Sequence, residues 1–262
     1  MVPTTRRLRR LEPAALLGVM VREAVNFASF WKSSTFSSVI NPTVYLLAFG
    51  FGFGSLVASV AGYRYLDFIG TGMVATTVIF AGTFPAMFST FVKYQFQHTY
   101  DGILAAPVDT EELVTAEILC MGIRVGIFGT VPIIVAMVFG LNPSWGMLLV
   151  PLVAGLAGLG WAAFGIFIAG ISKSIESFSY WMGALLTPVF LVAGTFFPLE
   201  GLPKWAQILG SFNPLYHCVE LVRNAVFGFE GWADLGHVAV LIVFALISWR
   251  LAVHYMERKL II

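Results

Sequence analysis

The chain has 262 residues, of which 58% are hydrophobic and only 11% are charged, and its mean hydropathy is +0.87. A soluble domain is typically about 25% charged, so the composition excludes a soluble protein. Each spanning helix takes about 20 residues, so several spans leave no room in this chain for a large extramembrane enzyme domain. The net charge of +1 gives no argument for nucleic acid as a partner, and two widely separated cysteines predict neither a disulfide framework nor a zinc site.

The chain begins with a basic segment that contains Arg6, Arg7, Arg9 and Arg10. An apolar run soon afterwards would indicate a cleavable twin-arginine export signal, but charged residues interrupt the stretch that follows. We therefore favour an anchor in which residues 12–32 form an amphipathic helix on the cytoplasmic interface. The alternative is a simple positive-inside determinant.

Six apolar runs follow, and they predict an all-α polytopic membrane protein with six transmembrane helices. Arg124, Arg250 and His254 fall inside these runs, each placed towards one end of its span. Two of these runs carry GxxxG spacings, at Gly50 and Gly54 and at Gly122 and Gly126. Such spacings favour close helix packing over nucleotide binding. The six predicted spans are residues 38–58, 68–91, 118–140, 147–170, 178–197 and 236–256.

Lysine and arginine mark one side of the predicted bundle. They precede the first span, recur at Lys93 and Lys173 in the second and fourth connections, and end the chain as Arg258 and Lys259. Because cytoplasmic loops carry the excess of these residues, both termini are predicted to be cytoplasmic. No acidic residue falls at a predicted bilayer centre, where ion-coupled carriers usually place ionisable groups. Any transport energy is therefore expected to come from another chain.

The connection between the second and third spans, residues 92–117, is long and acidic. Asp101 can open a short helix, Pro107 interrupts it, and Asp109 or Thr110 starts a second helix that runs into the third span. A broken helix that lies parallel to the membrane and has a small apolar face suits docking into a partner's groove. The alternative is a solvated loop whose acids only cap helices.

The connection before the last span, residues 198–235, is divided by prolines and glycines into two predicted helices, 203–210 and 214–227. Neither helix is long enough to cross a bilayer, and their aromatic residues suit interfacial depth. We predict a re-entrant helical hairpin that dips into the outer leaflet and gates an exit path. The alternative is an ordinary amphipathic cap on the bundle.

The sequence offers no specific catalytic or metal-binding motif. It has no phosphate-binding GxxxxGK(S/T) loop, no HExxH pair and no GxSxG with a plausibly placed base. His217, Cys218 and Glu220 are the one cluster of candidate metal ligands, but they fall on different faces of a short helix, so no metal site is predicted. Aromatic side chains in the spans are either packing and lipid-facing residues or a path for an amphiphile. The path candidates are Phe49, Phe84, Phe88, Phe190, Phe196 and Phe197.

Two stretches carry a resemblance that extends over essentially the whole chain. TYDGILAAPVDTEELVTAEI lies in the acidic connection, and GTFFPLEGLPKWAQILGSFNPLYHCVELVRNAVFG precedes the last span. The chain resembles the membrane subunits of type-2 exporters of the ATP-binding-cassette (ABC) superfamily. The most similar of these are permeases that export lipo-oligosaccharides such as nodulation factors, together with related exporters of polysaccharides and drugs. It departs from that pattern in its acid-rich stretch after Pro107. Residues 1–262 would form one transmembrane domain, with residues 1–37 as its cytoplasmic interfacial segment.

The resemblance also implies where the chain meets its partners. Residues 100–112, here named the coupling segment, would seat on a separate ATPase subunit that binds ATP and Mg, so this chain itself would bind no cofactor. Residues 198–229, here named the hairpin, would form the exit gate. A second copy would complete a path lined by the second and fifth spans and bounded by the first, with membrane lipid around it. The implied coupling residues are Tyr100, Asp101, Leu104, Ala105, Ala106, Pro107, Val108 and Glu111, and the implied gate residues are Pro198, Trp205, Tyr216, His217, Glu220 and Arg223.

Three functions are compatible with these patterns. The first is the permease subunit of an ATP-driven exporter in a bacterial inner membrane, which moves a glycolipid, lipo-oligosaccharide, polysaccharide or hydrophobic drug. The second is an ATP-independent integral-membrane enzyme or secondary carrier that works through His217, Glu220 and Arg223. The third is a structural membrane scaffold, which leaves the acidic connection without a purpose. We prefer the first function.

Overall fold

The structure, a computed structural model, describes residues 11–57 and 59–260. The basic cluster at residues 6–10, predicted to be an anchor, lies outside the described residues. Helices make up most of the described chain, as expected for an all-α fold. They are α1 (Pro13–Tyr45), α2 (Tyr65–Thr77), α3 (Phe84–Gln95), α4 (Thr99–Leu104), α5 (Thr110–Gly129), α6 (Val131–Val138), α7 (Val150–Ile171), α8 (Ser177–Trp181), α9 (Thr187–Leu191), α10 (Lys204–Ser211), α11 (Pro214–Phe227) and α12 (Trp232–Leu260).

Short turns of other helical types extend or join several of these helices. A π-helical turn, in which the hydrogen bonds reach one residue further than in an α-helix, is rare and often lies at a functional position. The π-helical turns are Leu46–Gly52 after α1, Val78–Thr83 between α2 and α3, and Met182–Leu186 between α8 and α9. Shorter 3-10 turns are Phe53–Ser55, Trp145–Leu149 and Leu199–Gly201.

Four continuous helical segments are long and apolar enough to cross a membrane. They correspond to the second, third, fourth and sixth predicted spans and extend beyond most of the predicted ends. Their lengths of 27 to 31 residues exceed the roughly 20 that a bilayer core requires. The segments are Tyr65–Gln95, Thr110–Val138, Trp145–Ile171 and Trp232–Leu260.

The first helix differs from the prediction of an interfacial helix followed by a separate span. α1 runs without a break from Pro13 to Tyr45, and the π-helical turn continues it to Gly52. Residues 19–41 contain neither glycine nor proline, so nothing in the sequence interrupts the helical hydrogen bonds there. The predicted interfacial helix and the first predicted span therefore belong to one helix.

The helix of the fifth predicted span is shorter than predicted: it covers Ser177–Leu191, whereas the prediction extended to residue 197. Gly194, shortly after the helix end, adopts a left-handed backbone conformation with φ of +75°. The chain then passes close to α2, where a Cβ atom on Gly72 would lie 2.6 Å from the carbonyl oxygen of Thr195. Glycine at position 72 therefore allows the irregular segment 192–198 to lie against the second span.

A small β-hairpin joins the first helix to the second, and the sequence did not predict it. Its strands, β1 (Ser59–Val60) and β2 (Tyr63–Arg64), pair antiparallel. The turn between them has positive φ angles at Ala61 and Gly62, as a two-residue hairpin turn requires. Strands of two residues are too short to produce a readable alternation of apolar and polar side chains.

α7 packs most extensively against α5 and α12 and forms the centre of the bundle. The GxxxG spacing on α5 faces α7, because a Cβ atom on Gly126 would lie 2.7 Å from the carbonyl oxygen of Pro151. At the other end of α7, the Lys259 ammonium group donates to the carbonyl oxygens of Ala169 and Ser172, at 3.1 and 2.6 Å. The GxxxG spacing of Gly122 and Gly126 is therefore a helix-packing face, as predicted.

Candidate functional site

The coupling segment begins in α4 and ends in the first turn of α5. Asp109 caps α5: its side chain accepts from the backbone of Glu112, and the Glu112 carboxylate accepts from the Asp109 backbone N–H at 2.9 Å. This cap confirms that a second helix starts after Asp109. Among the coupling residues, Tyr100 is buried, Leu104, Val108 and Glu111 are half-buried, and Asp101, Ala105, Ala106 and Pro107 are exposed.

Tyr100 anchors the coupling segment in a buried polar network. Its hydroxyl donates to Glu117 Oε2 of α5 at 2.6 Å, and Glu117 Oε1 accepts from Lys93 Nζ of α3 at 2.8 Å. The same ammonium group pairs with Glu23 Oε1 of α1 at 2.8 Å. Glu23, Lys93, Tyr100 and Glu117, here named the polar network, thus join α1, α3, α4 and α5.

The network is electrostatically demanding because it is almost closed to solvent. The side chains of Lys93, Glu23 and Glu117 are 6%, 9% and 4% exposed, and removing one partner from such a group leaves an uncompensated buried charge. Burial, followed by the Glu117 carboxylate, holds the pKa of Tyr100 well above its ordinary value. The hydroxyl therefore stays protonated and remains a donor to Glu117.

A second contact ties the coupling segment to the start of α1. The other carboxylate oxygen of Glu112 accepts from the backbone N–H of Glu12 at 2.7 Å. Glu112 therefore holds the starts of two helices, α1 and α5, with one side chain. The sequence interpretation placed Glu112 within the coupling segment and assigned no site role to Glu23, Lys93 and Glu117.

At the opposite end of the bundle, the hairpin holds the irregular backbone that follows α9. The Arg223 guanidinium donates to the Gly194 carbonyl oxygen at 2.5 Å and to Glu220 Oε1 at 2.8 Å. Its Cζ atom lies 3.7 Å from the centre of the Phe68 ring on α2, within the range of a cation–π contact. Asn213 also donates to the Val189 carbonyl oxygen, at 2.7 Å. The hairpin therefore contacts both α2 and the chain around the end of α9.

His217 joins the hairpin to α12 through a pair of imidazole rings. Its Nδ1 atom lies 2.6 Å from Nδ1 of His237, and its Nε2 atom lies 2.9 Å from the Ser211 carbonyl oxygen. Since a carbonyl oxygen only accepts, Nε2 of His217 carries the proton and Nδ1 accepts from His237 in the neutral pair. Burial, with a smaller contribution from His237, lowers the pKa of His217.

The remaining predicted gate residues occupy different surroundings. Tyr216, Glu220 and Arg223 lie on one face of α11, as their spacing requires. Pro198 is half-buried ahead of the hairpin, and Trp205 stands on the exposed face of α10. Within residues 11–57 and 59–260, no group of three potential metal-binding side chains comes together.

The structure divides the six predicted path aromatics. Phe49, near the end of the first helix, contacts Phe196 with ring centroids 5.1 Å apart, and Phe196 contacts Phe190 at 5.6 Å. These three rings join the first helix to the end of the fifth span. The others lie elsewhere: Phe84 contacts Phe80, Phe88 contacts Phe178, and Phe197 is exposed.

The sequence matches a known family of membrane transporters. The ABC-2 type transporter family matches residues 15–227, so the chain belongs to that family. Together with the four long apolar helices, this membership defines a transporter permease of a membrane rather than an enzyme.

Named relatives cover nearly the same length. The chain is 29% identical to Nodulation protein J of Sinorhizobium fredii over 236 residues, which are 88% of this chain and 90% of the relative. It is also 29% identical to Nodulation protein J of Rhizobium meliloti over 236 residues, 88% of this chain and 89% of the relative. Identity to the inner membrane transport permease YadH of Escherichia coli is 28% over 247 residues, 90% of this chain and 94% of the relative.

Proposed function

We propose that the chain is the permease subunit of an ATP-driven exporter in a bacterial inner membrane. Its cargo is an amphipathic or lipid-linked molecule, and ATP and Mg bind to a separate ABC ATPase subunit. The observation that carries this proposal is the coupling segment, which exposes Asp101, Ala105 and Pro107 while Tyr100 is anchored in the polar network. An exposed surface that is anchored to the bundle through Tyr100 suits the transmission of force from a docked partner.

The proposed topology has six spans with both termini in the cytoplasm. The distribution of lysine and arginine supports it, because cytoplasmic loops carry the excess. The hairpin re-enters the outer leaflet in this topology. Its α10 helix exposes an apolar face suited to interfacial depth, formed by Trp205, Ile208 and Leu209, with Phe212 beyond its end.

Two copies of the permease form the proposed path between them. The described π-helical turns occur in the first, second and fifth predicted spans, the same spans that the resemblance places around the path. The contacts of Phe49, Phe190 and Phe196 join the first predicted span to the fifth. Rearrangement at π-helical turns would let these helices bend while the bundle around α7 stays packed.

In the proposed mechanism, closure of the two ATPase subunits moves the coupling segment. Tyr100 passes this movement to α5 through Glu117, and Lys93 passes it to α3 and to Glu23 on α1. The complex thereby changes from inward to outward access, because nucleotide binding favours one of two arrangements.

The test is a pull-down of the tagged permease from its native membranes, followed by mass spectrometry and a vanadate-sensitive ATP hydrolysis assay. The wild type should retain an ABC ATPase. Ala106→Arg, which places a bulky cation on the exposed coupling surface, should lose it. The matched control Ile175→Arg, on the fourth connection, should retain it.

Retention of the ATPase by Ala106→Arg at the wild-type level would refute docking through this segment. Transport by the purified chain in vesicles without any ATPase would instead favour the secondary-carrier alternative. Strict dependence of transport on ATP would eliminate that alternative.

A further inference from the structure

An open apolar groove lies between α1, α3 and α5. Its volume is about 710 Å³, within the range of about 300–1,000 Å³ that is common for small-molecule sites. Phe27, Phe88 and Met121 line its floor, while Val21 and Ile127 are exposed at its edge. The groove therefore opens sideways from the bundle, where a bilayer would surround the protein.

A second, smaller space continues the groove along α1. This cleft has a volume of about 180 Å³, and its walls are rich in hydroxyl and amide groups. The groove and the cleft share Ser34, Pro85, Arg124 and Phe128. The polar side chains around the cleft are Ser33, Ser34, Ser37, Ser38, Asn41, Thr76 and Thr77.

Arg124 stands where the two spaces meet. Its Nη2 atom donates to the Ala81 carbonyl oxygen at 2.9 Å, which has no helical N–H partner at position 85 because Pro85 lacks one. Its Nε atom is buried without a hydrogen-bond partner. No carboxylate of the described residues forms an ion pair with this arginine, whereas Lys93 at the end of the groove is neutralised by Glu23 and Glu117.

The depth of this charge is informative. Ala81 lies beside the midpoint of the 31-residue segment Tyr65–Gln95, so the guanidinium of Arg124 reaches the middle of the second span. Charged groups at such depth are costly and usually line a pathway for a polar ligand. The unpartnered Nε atom and the buried, unpartnered hydroxyl of Ser89 beside the groove leave hydrogen-bonding capacity for one.

We propose that the groove and the cleft together form one binding site for an anionic amphiphile. The alkyl chain of the ligand lies in the groove, its carboxylate or phosphate binds Arg124, and the rest of its head group lies in the hydroxyl-lined cleft. The site is built by α1 and by the second and third predicted spans of one protomer, whereas the implied path lies between two protomers.

The role of this ligand as cargo rests on the export function proposed above, but its binding does not. Lateral opening of the groove admits the chain from the surrounding lipid, and the cleft offers the head group polar partners at mid-membrane depth. The bound state is then an early step of translocation, in which the head group has left the interface and the chain still contacts lipid.

The experiment measures ligand binding to the purified permease, without any ATPase subunit, by native mass spectrometry in an uncharged detergent. The probes are tetradecyl phosphate and uncharged tetradecanol. A charge-assisted hydrogen bond is about twice as strong as a neutral one, so the wild type should bind the phosphate at least about tenfold more tightly than the alcohol.

Arg124→Gln is the decisive variant, because glutamine can still donate to the Ala81 carbonyl oxygen but carries no charge. It should lose the preference for the phosphate and bind the alcohol as before. Arg250→Gln, which removes an exposed arginine of α12, should behave as the wild type. Unchanged phosphate binding by Arg124→Gln would overturn the proposal, as would an equal loss in Arg250→Gln.

A second variant decides the question if Arg124→Gln does not fold. Ile127→Trp enlarges an exposed side chain at the edge of the groove and should weaken the binding of both probes. Binding equal to that of the wild type would overturn the proposal. Because the assay contains no ATPase, loss of ATPase docking in the earlier pull-down would leave this result unaffected, and the two proposals can fail separately.

Discussion

Replacing Lys93 with methionine should strongly destabilise the permease. Methionine has a similar length but no charge, so the carboxylates of Glu23 and Glu117 would remain buried without their shared cation, which lies 2.8 Å from each. Glu23 would keep its ion pair with Arg22 at 2.9 Å, but Glu117 would lose its ion pair with Lys93. Because Lys93 and Glu117 are both less than 10% exposed, breaking this buried pair should cost about 3–5 kcal/mol.

Thermal unfolding of the detergent-solubilised protein measures this effect. The control Lys173→Met removes an exposed lysine and should leave the midpoint near that of the wild type, as surface substitutions usually do. Adding Glu23→Gln and Glu117→Gln to Lys93→Met should recover much of the loss, because the uncompensated charges disappear. Unfolding of Lys93→Met at the wild-type temperature, or no recovery in the triple variant, would refute the electrostatic reasoning.

Three further predictions concern other contacts. Tyr100→Phe keeps the ring but removes a hydrogen bond to a buried carboxylate, which is worth about 1.5–3 kcal/mol. The variant should therefore transport less substrate per ATP hydrolysed in the reconstituted complex, and an unchanged ratio would count against the proposed transmission. Because the folded-state pKa of His217 is lowered, its contribution to stability is complete above the unfolded value of about 6.5 and is lost as the pH falls below it. Melting curves between about pH 7.5 and 5 should reveal this loss in the wild type and a weaker dependence in His217→Gln, whereas parallel curves would contradict it. Gly126→Val should lower the free energy of unfolding by about 1–3 kcal/mol, because it overpacks the contact between α5 and α7. The melting temperature measures this loss against the control Gly183→Val, since Gly183 has no neighbour where a Cβ would stand, and equal melting of the two variants would contradict the prediction.

The positions of most spans could be predicted because hydropathy reports them directly. Residues 68–91 and 147–170 were predicted from uncharged apolar runs, and the helical segments Tyr65–Gln95 and Trp145–Ile171 enclose them. The helix ends are less visible to such reasoning, because the last turns carry polar residues outside the bilayer core. The prediction of an interfacial helix over residues 12–32 and a separate span from residue 38 was wrong, because the polar residues between them continue the same helix, α1.

The buried charges could not be predicted from spacing alone. Lys93 and Glu117 are 24 positions apart, and Glu23 lies on a helix whose packing partner the sequence does not reveal. The sequence interpretation placed Arg124 towards one end of its span, whereas it lies at the middle of the segment Thr110–Val138. A weaker signal was present: an isolated charge within or beside an apolar span usually needs a partner. That signal could have identified Lys93 and Arg124 as candidates, but it could not have distinguished the neutralised cation from the one that faces a groove.

α5 connects the two ends of the proposed mechanism. Glu117 and Arg124 are seven residues apart, close to two helical turns, so they lie on the same face of α5 about 10 Å from each other. Glu117 accepts from Tyr100 of the coupling segment, and Arg124 donates to the Ala81 carbonyl oxygen in the π-helical turn of the second span. α5 has no π-helical turn of its own, so a displacement at Tyr100 would reach Arg124 without being absorbed. The same displacement would move the second span and change the proposed amphiphile site, which would give the proposed ATP-driven motion a direct route to the ligand.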